Sequence, residues 1–187
     1  MVEEPKHVLN VLQETKEAVA KEDTLKLKEL SNQTIHSASI KQDVDSIMLA
    51  VIIYSLSKFL ERINYKQYPG WNKFFNSFIR HIDFSINALE QDNEERFRKE
   101  LKGMRRHISS LTGDFKRNIQ DVFRKASINK ASRIYEHGIS METTSRLLGI
   151  SIWELAEYAG QTGIGDVNLS VTMPEKKRIK LAEDIFK

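Results

Sequence analysis

The sequence predicts an all-α protein, an up-and-down helical bundle followed by a smaller three-helix unit and a C-terminal tail. Three observations carry that expectation. Apolar residues recur at three- and four-residue steps along most of the chain, no stretch keeps the period-two alternation of a strand, and only eight Gly and three Pro interrupt 187 residues. At 40% hydrophobic and 29% charged residues, the chain has the apolar content to bury a core and the length for one domain or one domain with a small module. With no Cys, disulfides, thiolate zinc sites and cysteine nucleophiles are excluded, which fits a reducing compartment.

Each element follows from the spacing. Val8, Val11, Leu12 and Val19 mark a first helix to about Glu22, and Leu25, Leu27, Leu30 and Ile35 a second, shorter or less regular one. From Val44 to Ile63 the apolar positions span so wide an angle that this third helix belongs in the centre of the bundle. Asn64 to Gly70, with Pro69, breaks the chain. Trp71, Phe74, Phe75, Phe78, Ile79, Ile82, Ile86 and Leu89 form the stripe of a fourth helix, read as core. Phe97, Leu101, Met104, Ile108 and Leu111 give a fifth that ends near Thr112 and Gly113, after which Phe115, Ile119, Val122 and Phe123 open a sixth. The polar run Ser31, Asn32, Gln33, Thr34, His36, Ser37 and Ser39 reads as a hydrogen-bonded face where helices approach closely, or as a capping segment.

The net charge of +3 hides a segregation: residues 1–95 carry −4, residues 96–133 carry +9 from 12 Lys/Arg against 3 Asp/Glu, and residues 134–187 carry −2. Such a block attracts polyanions, and Arg98, Lys102, Arg105, Arg106, Lys116, Arg117, Arg124, Lys125 and Lys130 are the candidate phosphate contacts for DNA or structured RNA. The alternative is a solvated helix face answering the acidic first half.

Catalysis finds no support in the sequence. His7, His36, His81, His107 and His137 show neither i,i+4 pairing nor His-Glu-x-x-His spacing, and no Gly-rich phosphate loop occurs, so no metal and no cofactor is expected. Arg133 and His137 lie only four positions apart, closer than the Arg–His pair of HEPN-type ribonucleases. The longest apolar run, Ile47 to Tyr54, is too short for a membrane span, and the acidic start Met-Val-Glu-Glu-Pro is unlike a signal peptide, so a cytoplasmic protein without membrane contact is expected.

Residues 129–160 have the grammar of a helix-turn-helix. Ala131, Ile134 and Tyr135 face inward from a first helix that stops at Gly138; Ser140 caps a second, closed by Leu147 and Leu148. Gly149 turns the chain, Ile150 plugs the small core, and Ser151 caps a third helix whose Leu155 and Tyr158 or Ala159 point inside. The motif resembles the helix-turn-helix of resolvase-like and homeodomain-like regulators. The fragment Leu147-Leu148-Gly149-Ile150-Ser151 with Trp153-Glu154-Leu155 and Tyr158 resembles UPF0175-type antitoxins. The likeness is confined to the C-terminal 30 to 55 residues; the first two-thirds resembles only uncharacterised archaeal helical proteins and implies no activity.

A DNA-reading third helix presents Arg, Lys, Asn, Gln, Ser or Thr. This one exposes Ile152, Trp153, Glu154, Ala156 and Glu157 and has no cation. Base reading would be limited to apolar contact with thymine methyls against two carboxylates, and the other reading is a protein-interaction or self-association (homodimer) face anchored by Ile152, Trp153 and Ala156.

Residues 161–187 read as a linker with Gly163 and Gly165, followed from Pro174 by an amphipathic tail whose stripe includes Ile179, Ala182, Ile185 and Phe186. The stripe packs on its own bundle or docks on a partner chain. The expected division is 1–112 bundle, 113–160 basic connecting helix plus helix-turn-helix, and 161–187 linker and tail. The expected role is non-enzymatic: nucleic-acid-associated regulation, by antitoxin-like transcriptional control, or an adaptor with a degenerate helix-turn-helix.

Overall fold

A computed structural model describes residues 4–41, 43–62, 65–109, 113–136, 139–148 and 150–162. The protein is all-helical: α1 (Pro5–Ala20), α2 (Thr24–Lys41), α3 (Val44–Leu60), a 3-10 turn at Tyr65–Gln67, α4 (Trp71–Glu90), α5 (Glu94–Ser109), α6 (Gly113–Glu136), α7 (Met141–Leu148) and α8 (Ile152–Thr162). No described helix is long and apolar enough to cross a membrane.

Two helix ends differ from the sequence expectation. The first helix stops at Ala20, and α2 is a full 18 residues long, neither short nor irregular. Its polar residues do not interrupt it because their hydroxyls find acceptors. Thr34 Oγ1 donates to the Leu30 carbonyl at 2.8 Å, Ser39 Oγ to Ile35 at 2.6 Å, and Ser31 Oγ crosses to the Ala50 carbonyl of α3 at 2.6 Å. Ser31 is fully buried where α2 meets α3, whereas Ser37 Oγ donates to Glu4 at 2.7 Å and Asn32 accepts from Lys130 of α6, so the polar run is hydrogen-bonded to several neighbours. A second difference is that the basic connecting helix and the first helix of the C-terminal motif form one continuous helix, the 24-residue α6.

The chain closes two helical hairpins with the same device. After α1, Glu22 takes a left-handed φ of 53° and Asp23 N–H donates back to the Ala18 carbonyl at 2.8 Å; after α4, Asp92 takes a φ of 52° and Asn93 N–H donates to Ala88 at 2.8 Å. Each helix thus ends by bending its chain onto its own last carbonyls. The next side chain then caps the following helix, Asp23 Oδ1 accepting from Lys26 N–H and Asn93 Oδ1 from Arg96 N–H, both at 2.9 Å. In the second hairpin α5 lies so close to α4 that a Cβ on Gly103 would meet the His81 ring at 2.7 Å. His81 Nδ1 lies 2.7 Å from Glu100 Oε2 across the same contact.

Two hydrophobic clusters share α3. Leu49, Ile52, Ile53, Leu56 and Phe59 face the first, built with Val8, Val11 and Leu12 of α1, Phe74, Phe78 and Ile82 of α4, and Phe97, Leu101 and Met104 of α5. The aromatic stripe of α4 is core, as its spacing implied: Trp71 stacks on Phe59 with ring centres 5.6 Å apart. Ile47, Ala50 and Val51, on the other side of α3, join Ile35 and Ala38 of α2 to Ala126, Ala131 and Ile134 of α6, Ile139, Leu148 of α7 and Leu155 of α8. Residues 113–160 therefore complete their core mainly against α2 and α3, while Val122 of α6 joins the first cluster. Asp43 starts α3, its carboxylate accepting from Ser46 Oγ at 2.7 Å and from the Asp45 amide at 3.1 Å.

Because α3 is common to both clusters, they should unfold together. Ile47→Ala, which removes a fully buried side chain from the second cluster, should cost about 2–5 kcal/mol and lower the melting temperature while the thermal transition stays single. Two resolved calorimetric transitions would show that the clusters are independent.

Candidate nucleic-acid interface

The basic block separates into three groups once its partners are known. In the first, the charge is committed inside the fold. Arg98 donates from Nε to Asp45 Oδ2 at 2.6 Å and lies 3.6 Å from Glu94, holding α5 against the start of α3; the Asp45 carboxylate raises its pKa further above the ordinary arginine range. Lys130 corrects the sequence reading most sharply, because it is fully buried and has no surface to offer a phosphate. Its Nζ donates to Asn32 Oδ1 at 2.7 Å and stands 4.2 Å from the centre of the Tyr54 ring. Burial, helped by the nearby Arg133 charge, pulls its pKa down to about 8.

In the second group the charge is offset at the surface. Arg124 of α6 donates from Nε to Glu154 Oε1 of α8 at 2.5 Å, and Lys125 pairs with Asp121 at 3.0 Å one turn away. Glu154 is thus not a carboxylate awaiting a phosphate. It accepts the Ser151 N–H at 3.0 Å while Ser151 Oγ accepts the Glu154 N–H at 3.2 Å, a reciprocal cap on α8, and these bonds with Arg124 hold its pKa below the usual carboxylate value. Ser140 caps α7, its hydroxyl accepting from the Thr143 amide at 3.1 Å and donating to Thr143 Oγ1 at 2.9 Å.

The third group faces solvent. Lys102, Arg105 and Arg106 of α5 line an open concavity of about 900 Å³ together with Arg96, Lys99 and Phe84. Glu95 and Glu100 also reach it, and Glu100 is held by His81. Among the described residues Arg96, Lys99, Lys102 and Arg106 have no carboxylate partner, and they stand together on this face of α5. Arg117 is exposed on α6; the side chain of Lys116 lies outside the described residues.

Sequence reasoning counted Arg96 and Lys99 in the basic block but not as contacts, and it missed Phe84. The signal was present: Phe84 falls off the stripe that buries Phe74, Phe78 and Ile82, and it is 42% exposed.

On α8, Leu155 and Ala159 are buried, whereas Ile152 is 40% and Trp153 81% exposed, with Ala156 exposed beside them. Tyr158 is half-buried and its hydroxyl accepts from Asn129 Nδ2 of α6 at 3.2 Å. The other expected anchors, Ile179, Ile185 and Phe186, lie outside the described residues. Among the described residues no three His, Asp or Glu side chains converge on a metal-sized site. Comparison of the chain with protein-family models, curated proteins and solved structures finds no match.

The depressed pKa of Lys130 has a measurable consequence. Below pH about 8 the ammonium is charged in both folded and unfolded chains, and the folded state bears the whole desolvation cost. Between about 8 and 10.5 the folded chain releases this proton first, so its contribution to stability rises with pH, by about 3 kcal/mol in all. Lys130→Met should therefore raise the denaturant midpoint at pH 7, and its advantage over the wild type should shrink as pH rises through that window. A variant destabilised equally at pH 7 and pH 10 would show that the Asn32 and Tyr54 contacts outweigh the buried charge.

Proposed function

We propose that the protein is a nucleic-acid-associated regulatory protein that grips phosphates with the outer face of α5. The supporting observation is the sorting of the cations: Arg98, Arg124 and Lys130 are paired or buried against α3, α8 and α2, whereas Arg96, Lys99, Lys102 and Arg106 on the α5 concavity stand in solvent without a carboxylate partner among the described residues. Fixed cations around an open concave surface release condensed counterions when a phosphate backbone enters, which is the main source of sequence-independent affinity. α8 is left out of that contact because its sequence carries no cation. Binding should fall steeply with salt. Lys102→Ala with Arg106→Ala should weaken binding uniformly across sequences and reduce the salt slope by roughly 2. No retention of any nucleic acid by the wild type at ~50 mM salt, where phosphate contacts are strong, would remove this reading.

A second reading, a protein-interaction adaptor, is favoured by Trp153. An indole 81% exposed beside Ile152 and Ala156 is a surface anchor awaiting a partner chain or a second copy, and it contributes little to the fold that carries it. Trp153→Ala should leave the melting temperature nearly unchanged and weaken association by about 2 kcal/mol or more, read as a lower mass by light scattering at matched concentration. A large fall in melting temperature with no change in mass would make Trp153 a structural residue and end the adaptor reading.

A further inference from the structure

The basic face carries a feature that phosphate binding alone does not require. Phe84 projects from α4 into the wall of the α5 concavity, 42% exposed, while Phe74, Phe78 and Ile82 of the same helix are buried. The Arg96 guanidinium stands 5.8 Å from the centre of the Phe84 ring, so an aromatic and a planar cation adjoin on one surface. Both open onto a space of about 900 Å³ whose rim carries Lys99, Lys102 and Arg106, with Glu95 and the His81-held Glu100 also reaching it. That volume lies within the ~300–1,000 Å³ usual for ligand sites.

A duplex keeps the faces of its bases stacked inside, where a phenyl ring flush with a helix surface cannot reach them. An unpaired base offers its face directly, and aromatic rings flanked by cations are the usual platform for single strands because every base has a π-face. Resting on the phosphate-binding reading above, we propose that this site takes single-stranded nucleic acid, one base stacked on Phe84 and the flanking phosphates held by Arg96, Lys99, Lys102 and Arg106. Arg96 serves twice, continuing the stacking surface and balancing the backbone charge.

The test compares three labelled probes by fluorescence anisotropy at low salt: a single-stranded oligonucleotide of about 12 residues, within the ~4–16 nucleotide sites of such surfaces, an abasic strand with the same phosphates, and the matching duplex. The wild type should bind the base-bearing strand at least about fivefold more tightly than the abasic one, the lower end of what one stacked base contributes. Phe84→Leu should erase that preference without changing affinity for the abasic strand, and Phe84→Tyr should keep it. Because Phe84 is exposed, both variants should melt like the wild type. Equal affinity for the two strands, or a preference that survives in Phe84→Leu, overturns the stacking site. If the duplex and abasic strand bind but no preference appears, the phosphate-binding reading stands and only this inference falls. Failure to bind all three probes removes both.

Discussion

The fold depends on one helix being buried on both sides. Of the 17 residues of α3, 12 are buried, and the nine apolar ones are divided between two hydrophobic clusters that no other described helix bridges so fully. A helix with one apolar stripe supports one neighbouring layer; a helix apolar almost all round must be enclosed. The α1–α2 and α4–α5 hairpins and the α6–α8 unit are the enclosure. Its polar residues are accommodated in the same way, Ser55 and Ser57 donating to the Val51 and Tyr54 carbonyls of α3 itself, so the helix enters the core without unsatisfied hydroxyls. The charged start is the exception, and there Asp43 and Asp45 are met by Ser46 and Arg98.

That enclosure decides what becomes of the charges. A cation on a helix face that packs against a neighbouring helix is paired, as Arg98 and Arg124 are, or loses affinity for its proton, as Lys130 does. Only the surface that packs on nothing keeps its charge available. The functional asymmetry proposed for the molecule is thus in part a by-product of helix packing: of the twelve basic residues in one stretch of sequence, Arg98, Arg124 and Lys130 serve the fold, and Arg96, Lys99, Lys102 and Arg106 form a short cationic face on α5.

How much of this was legible beforehand varied with the range of the interaction. The helical class, the caps at Ser140 and Ser151, the inward Leu155 and the outward Trp153 follow from local spacing and are present in the structure. The central place of α3 was visible in the width of its apolar surface. Long-range pairs were not legible: Lys130 meets Asn32 98 positions away, Arg98 meets Asp45 at 53 and Arg124 meets Glu154 at 30, and no single-sequence pattern encodes those partners. The acidity of α8 looked like a contradiction within a DNA-reading motif; Arg124 and the Ser151 cap resolve it for Glu154. The full length of α2 was obscured because Ser and Thr are weak helix formers unless their hydroxyls find carbonyls, which depends on the neighbouring helix.

The sharing of α3 has a geometric corollary. The cationic surface of α5 and the apolar end of α8 belong to helices whose cores meet on the same element, so their separation is set by side-chain packing and not by a tether. Where two binding surfaces are joined by a flexible linker, the effective concentration of the second contact falls as the linker lengthens. Here it is fixed by the fold. An assembly that touched both surfaces would gain avidity only at one spacing, and for it the body of the protein would be a ruler between the α5 face and Trp153.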